Sequence, residues 1–411
     1  MRDWLPQAWA FFEHLHAPRV RTASLRFSAT LFGGLLSTIL FAILVVTGLL
    51  LMYVYVPSEE GAWRSMRVLE ERVCFGGSLR ALHNWAAQAM LITATLHLAS
   101  LTARQAFTRK KALNWWIGVA LFLLTVALSY TGYLLPWDQL AYWAVTVGAH
   151  MAGSAPGVGA AARHALLGAD EIGAPTLLRF YTHHCVTLPL VFGLLIGVHL
   201  YRIRRDGGLS LSPAAEARGA GLTTGARGAI LRWELWIAAL VTLLGVLLAA
   251  WRPIPLGPEA DPSLTPNPMK APWYLVGLQE LLHFHPAFAV TYLVPLAWFG
   301  ALLALPLMPG RFQQARLADL SRGATLALYV GFGALALCST ALVAWHTDLT
   351  IILAAGGGAL VLSFARGPLR ATLGRSGLPL FLLLWSLAAY LGLVAVAIWL
   401  RGPGWSLLWI P

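Results

Sequence analysis

Charge is scarce in this sequence. Only 11% of its 411 residues are Asp, Glu, Lys or Arg, while 58% are hydrophobic. A water-soluble domain carries about 25% charged residues, so a chain this long and this apolar belongs in a bilayer. Acids are the scarcer sign, 17 against 29 Lys and Arg, which leaves a net charge of +12. The basic residues fall in short gaps between apolar runs. That placement is a topology signal and argues against a nucleic-acid-binding surface. Cysteine is nearly absent. Cys74, Cys185 and Cys338 are far apart and form no CxxC or CxxCH, so they offer neither a zinc site nor a covalent cofactor attachment; they read as small buried or free thiols. No cleavable signal or transit segment is expected, and the N-terminus to residue 26 reads as an amphipathic surface helix.

What is abundant is apolar sequence in long uncharged runs: 27–58, 81–103, 112–137, 180–201, 235–251, 281–310, 323–347, 349–365 and 376–400. A spanning helix needs about 20 residues, with about 17 as the lower limit. The pattern predicts an all-α, polytopic transmembrane protein of nine spans. The alternative is eight, because the run 349–365 is short and contains Gly356 to Gly358. With the N-terminus in the cytoplasm, 20 of the 29 basic residues but only 6 of the 17 acids fall on the cytoplasmic side, as the positive-inside rule requires. Two outer loops are long, 138–179 and 252–280, and long ordered loops tend to carry function. The inner loop 202–234, rich in Gly, Ala and Arg, reads as a linker between two halves.

Ionisable residues inside a bilayer are costly and usually functional. The second span holds His83 and His97, 14 residues apart; the fourth holds His184 and His199, 15 apart. Each pair is separated by about 21 Å along its helix and returns to within about 40–60° of its starting direction. The two spans run in the same direction, so His83 faces His184 near the outer side and His97 faces His199 near the inner side. Two facing imidazoles at two levels suit two haems, each ligated by two histidines. Gly34 and Gly48 in the first span, and Gly118 and Gly132 in the third, repeat the 14-residue interval. They would let a flat macrocycle approach the backbone. Arg80, one turn before His83, would pair with a haem propionate. His183 adjoins His184; His184 is preferred for its shorter interval to His199. Pro189 is expected to bend the fourth span and absorb its extra residue.

Several segments resemble the cytochrome b/b6 family, the quinone-reactive core of cytochrome bc and b6f complexes. They are 76–85 with His97, 131–145 (Thr-Gly-Tyr-Leu-Leu-Pro-Trp-Asp-Gln-Leu-Ala-Tyr-Trp-Ala-Val), and 179–184 with the Leu-Pro at 188–189 and His199. Residues 1–210 resemble the b6-like di-haem four-helix bundle, 211–230 a linker and 231–347 a subunit IV-like quinol-site domain. Residues 348–411 have no clear counterpart there and read as extra transmembrane helices. Two positions depart from the family. Leu31 stands where the b6 branch attaches an extra haem to Cys. The second outer loop reads Ala271, Pro272, Trp273, Tyr274, with Pro272 where the family carries Glu.

The resemblance implies two haem b groups, quinol and quinone as substrates, and a complex, itself homodimeric, with a Rieske iron–sulfur protein and a c-type cytochrome in a bacterial cytoplasmic membrane. It implies quinol oxidation on the outer side, electron transfer through the haems to quinone on the inner side, and proton translocation. Tyr133, Pro136, Trp137, Tyr142, Trp143, Pro272, Trp273 and Tyr274 would supply the apolar walls a quinone ring needs. Quinol also needs a proton acceptor. Glu280 is the expected one, with Asp138, His283 and His285 behind it and Tyr274 beside the ring. Tyr201, Arg202, Arg204 and Asp206 lie at the depth of an inner site, where a topology-setting basic cluster explains them equally well. A di-haem anchor of a quinone-linked dehydrogenase shares the histidines but lacks the two loop motifs. A transporter should show an internal repeat, and no repeat is evident. With Leu31 in place of the attachment Cys, the denatured chain should retain no haem. A haem-stained band at this chain's mass on a denaturing gel would contradict that.

Overall fold

The structure, a computed structural model, describes residues 19–21, 33–103, 107–205, 224–308 and 378–405. Leu31, Cys338, Asp206, most of the 211–230 linker and the expected spans 323–347 and 349–365 lie outside them. The described chain is almost wholly helical. The exception is one antiparallel pairing, β1 (Arg19–Arg21) with β2 (Thr224–Ala226), in register Arg19 to Ala226.

The chain divides into two compact units, Met1–Trp137 with Gly173–Gly257, and Asp138–Ile172 with Pro258–Pro411. Residues 138–172, most of the first long outer loop, belong to the second unit. The helix after the linker packs back on the first: Trp85 Nε1 donates to the Arg252 carbonyl at 2.9 Å and Trp63 Nε1 to the Gly257 carbonyl at 2.8 Å.

The first unit contains α1 (Gly33–Met52), α2 (Glu59–Arg72), α3 (Gly76–Ala103) and α4 (Ala112–Leu134). After the loop come α5 (Ala174–Thr182), a π-helical turn His183–Thr187, α6 (Leu188–Arg205) and α7 (Arg227–Trp251). Five stretches of described helix are long and apolar enough to cross a membrane: Gly33–Met52, Arg109–Leu134, Ala174–Ile203, Leu231–Trp251 and Ala289–Leu307. The 28-residue α3, which carries His83, Asn84, Gln88, Thr93, Thr95 and His97, is not among them. It packs against α1, α4 and α7.

A hydroxyl in a spanning helix has no water to bind and must be satisfied by protein. Thr38, Thr47, Thr95, Thr102, Thr125 and Thr131 each donate to the carbonyl four residues earlier, at 2.7–2.9 Å. Between the two histidine levels lies an apolar cluster of Leu40, Ala86, Met90, Ile117, Leu121 and Phe192. There Phe41 meets Phe192 with ring centroids 4.4 Å apart. In lipid such contacts stabilise by close packing rather than by removal from water.

Residues 59–72 were expected to form part of a connection and instead form α2. Ser58 caps it by accepting from the Gly61 amide, Glu59 and Glu60 sit at its positive end, and Arg67 pairs with Glu71 one turn on. Ala62, Met66 and Leu69 are its buried stripe.

The second unit holds α8 (Gln139–Gly153), α9 (Gly159–Leu167), α10 (Trp273–Leu281), α11 (Val294–Ala304) and α12 (Leu378–Trp399). The apolar run expected to begin at 281 starts its span later. The chain turns through Leu282 to His285 and becomes helical again at Ala287, entering a π-helical turn over Ala289–Leu293. Pro286 is the cause, since the residue before a proline is pushed out of the helical region.

Candidate functional site

Of the four expected histidines, His83 and His184 meet ring to ring inside the first unit. The His83 and His184 ring centroids are 6.2 Å apart. Imidazole–metal bonds run about 2.0–2.1 Å, so this gap accommodates one metal atom between two ring nitrogens. The far nitrogen of each ring is already engaged. Thr47 Oγ1 lies 2.8 Å from His83 Nδ1, and the Leu128 carbonyl and Thr131 Oγ1 lie 3.1 and 3.3 Å from His184 Nδ1. Fixing Nδ1 sets the ring's orientation and would leave Nε2 to ligate a metal. His97 and His199 are within electrostatic reach of each other. Their Nδ1 atoms are buried without a hydrogen bond, that of His199 directed toward the Asn114 backbone. His183 is exposed, so the ring facing His83 is that of His184. Among the described residues no group of three or more His, Cys, Asp or Glu could hold a metal ion; axial ligation by two histidines requires none.

The 14- and 15-residue intervals are reconciled by the π-helical turn His183–Thr187. Such a turn inserts one extra residue into an α-helix. The expectation placed this adjustment at Pro189; it falls just before that proline. The pyrrolidine there lacks an N–H, and the wider turn accommodates the break.

All four expected glycines face the histidines. A Cβ on Gly34 would lie 3.3 Å from His97 Cε1, one on Gly48 3.3 Å from His83 Cε1, and one on Gly118 3.4 Å from His199 Cε1. At Gly132 it would lie 2.5 Å from His184 Cε1, a collision. The glycines thus make room first for the imidazole edges. Arg80 pairs with Glu70 of α2 and donates to the Ile254 carbonyl, while its Nε is buried without a partner.

The expected quinol-site residues divide between the units. In the first, Tyr133 ends near α4's C-terminus, Pro136 follows, and Trp137 is buried with φ at +52°. That is an uncommon conformation for a bulky residue and costs about 1–3 kcal/mol. In the same unit Tyr55 Oη donates to the Leu135 carbonyl at 2.7 Å and stacks on Tyr181.

In the second unit, Asp138 caps α8 by accepting from the Ala141 amide at 2.9 Å. Tyr142 and Trp143 lie edge to face, and Trp143 Nε1 donates to the Leu264 carbonyl at 3.0 Å. Gln139 binds the same loop, donating to the carbonyls of Asp261 and Leu264. The helix expected from Pro272 is α10, with Pro272 as its cap and the Trp273 and Tyr274 rings edge to face at 5.8 Å. Glu280, expected to face quinol, is instead completely buried. Its carboxylate accepts from Arg401 Nε at 3.0 and 3.2 Å and also from Nη2. Both oxygens are committed to Arg401, itself 4% exposed. Truncating one partner of a buried pair typically costs about 3–5 kcal/mol. His283 is exposed and His285 half-buried. Partial loss of solvation of the ring, at an otherwise accessible position, holds the His283 imidazole below its ordinary 6.5, with Glu280 acting upward and Arg401 downward. Sequence reasoning missed Arg401, which lies 121 residues from its partner. A lone arginine ending an apolar helix was its only signal.

The Cytochrome b/b6/petB family profile matches residues 22–207. Cytochrome b6 of Heliobacterium mobile is 40% identical over 176 residues, which is 43% of this chain and 82% of that protein. The menaquinol:cytochrome c reductase cytochrome b subunit of Geobacillus thermodenitrificans is 37% identical over 177 residues, 43% of this chain and 79% of that one. Among solved structures, a chain of a hyperthermophilic respiratory Complex III superposes with a TM-score of 0.59 at 21% identity, over 90% of both chains. That likeness is one of fold.

The glycine distances rank the substitutions. Gly132→Ala should displace the His184 ring and change or abolish the absorbance that depends on the outer pair, whereas Gly118→Ala should leave the inner pair close to normal. Difference spectra of the two variants check this; equal effects would contradict the ranking.

Proposed function

Since this chain belongs to the cytochrome b/b6 family, we propose that it binds two haem b groups and serves as the cytochrome b subunit of a quinol:cytochrome c-type reductase. His83 and His184 would hold the outer haem, and His97 and His199 the inner one. The observation that carries the reading is the set of paired imidazoles, two of them 6.2 Å apart, each with a glycine against its edge. When bound, the haems supply a one-electron path between the two sides of the membrane. Thr47 and the Leu128 carbonyl hold the outer imidazoles with Nε2 free to ligate. The unpartnered Nε of Arg80 supplies a buried donor for a propionate.

Quinol enters this reading from the relatives, one of which is a menaquinol:cytochrome c reductase subunit. Trp273, Tyr274, Tyr142 and Trp143, all of the second unit, are the proposed apolar contacts for the ring. The proposed proton acceptor is the His283 imidazole. It is exposed, unlike Glu280, and with its pKa below 6.5 it is neutral and able to accept at pH 7. The Rieske and c-type partners, a homodimeric complex, nine spans and a bacterial cytoplasmic membrane complete the proposal, supported by the relatives and by the charge asymmetry of the loops.

Two experiments test it. His97→Ala or His199→Ala should remove the inner haem and spare outer-haem absorbance, and His83→Ala or His184→Ala should do the reverse. If His184→Ala keeps both haems while His183→Ala loses one, the ligand assignment is wrong. His283→Gln should slow quinol-driven haem reduction at least about tenfold, with both haem spectra intact. In the unsubstituted chain the rate should fall with acid only below pH 6.5, as the imidazole becomes protonated. An unchanged rate in His283→Gln would remove His283 from the mechanism.

A further inference from the structure

Helix α10 carries Trp273 and Tyr274 and has only nine residues. A helix so short has little stability of its own. Its cap, Pro272, makes no side-chain capping bond, and no basic residue sits in its last turn. Glu280 lies in that last turn, where a carboxylate opposes the helix dipole.

What holds α10 is the C-terminal helix α12 and the residues just after it. Tyr390 Oη donates to the Tyr274 carbonyl at 2.7 Å. Gly277 fits against the Tyr390 ring, which a Cβ there would meet at 2.7 Å. Val276 packs with Val394 and Ala397. Arg401 grips Glu280. The anchors fall at positions 274, 277 and 280, a three-residue interval that keeps them on one side of the helix. The loop leading into α10 is tied to the same segment: Lys270 Nζ donates to the Ile398 carbonyl at 2.9 Å, and the Gly404 amide to Asn267 Oδ1 at 2.6 Å.

We propose that Arg401 is a positioning residue for the quinol site: by holding Glu280 it fixes α10 and so the Trp273 and Tyr274 rings, and Glu280 itself takes no proton from quinol. The inference rests on the quinol-oxidising reading above. It gives the C-terminal segment, read from the sequence as extra helices, a part in building the site.

The test uses the full complex in native membranes and compares Arg401→Gln, Arg401→Lys, Glu280→Gln and the double variant Glu280→Met with Arg401→Met. The KM and kcat for quinol-driven haem b reduction are measured, with haem spectra and thermal stability as controls. Arg401→Gln and Glu280→Gln should each raise KM by about tenfold or more, with kcat changed less, because binding geometry is what is lost. Arg401→Lys should recover most of the KM. The double variant should bring KM and kcat to within about threefold of normal, because an apolar pair can replace a buried ion pair without leaving a lone charge. An unchanged KM in Arg401→Gln overturns the proposal. So does a double variant that keeps its stability but loses kcat while Arg401→Lys is normal, since Glu280 would then be the acceptor. If the single variants do not accumulate, the double variant still decides between these outcomes. If the unsubstituted complex cannot reduce haem b with quinol, the functional reading fails instead. The latch is then read from thermal stability alone: lowered by each single substitution and restored in the double, or overturned if the double is no more stable than the singles.

Discussion

Four imidazoles buried between helices set the terms for the first unit. To ligate as proposed, each would present one nitrogen inward, have its other nitrogen oriented or enclosed, and sit against a neighbouring helix close enough to exclude a void. Glycine on α1 and α4 meets the last demand, because any Cβ at Gly132, or a larger side chain at the other three positions, would occupy the volume of a ring. Thr47 and the Leu128 carbonyl meet the second demand at the outer level. The apolar contacts of Met90 and Phe192, each about midway between the histidines of its helix, then separate the two levels. The helices are thereby keyed to one another in register. A one-residue slip of any of them would put a side chain where a ring edge must be.

That constraint explains why so much of the first unit was legible. Residues 14 apart return to one side of an α-helix, so the histidine and glycine intervals could be read without coordinates. The interval of 15 in the fourth span was legible only as an irregularity. Pro189 pointed to the right neighbourhood, but the insertion is taken up by backbone hydrogen bonding at His183–Thr187, which has no side-chain signature. The amphipathic α2 was missed although Ser58, Glu59 and Glu60 mark its start; between two long apolar runs its short polar stretch read as a connection. The break at residues 282–285 was announced by Pro286 and masked by the apolar residues on either side.

In the second unit legibility fell, because its contacts join residues far apart in sequence. The aromatic and acidic residues of the outer loops were assigned to chemistry, and the structure gives several of them a structural bond as well. Asp138 caps a helix, and Trp143 and Gln139 hold the 258–272 loop by its carbonyls. The two roles are compatible for Trp143, whose ring face stays available while its N–H is used. They are less so for an acid. A carboxylate already accepting an amide at a helix start is held in place by that bond, as Asp138 is at the start of α8.

The same reasoning bears on the pair that the sequence could not join. Among the described residues the buried charged side chains are Glu280 and Arg401, and they are partners. Two ions taken out of water lose several kcal/mol each in solvation. Their attraction repays this only with good geometry, which the several guanidinium–carboxylate hydrogen bonds provide. A hydrophobic pair could fill the space at similar stability. The ion pair adds direction to a contact that apolar packing could also hold in place. A guanidinium fork and a carboxylate align in a narrow range of orientations, so the pair fixes the rotation of α10 about its axis. The Tyr274 carbonyl bond to Tyr390 fixes the helix at its other end. Two directional contacts and one close glycine contact over a single nine-residue helix leave it almost no freedom to turn, and the proposed quinol site would take its geometry from that.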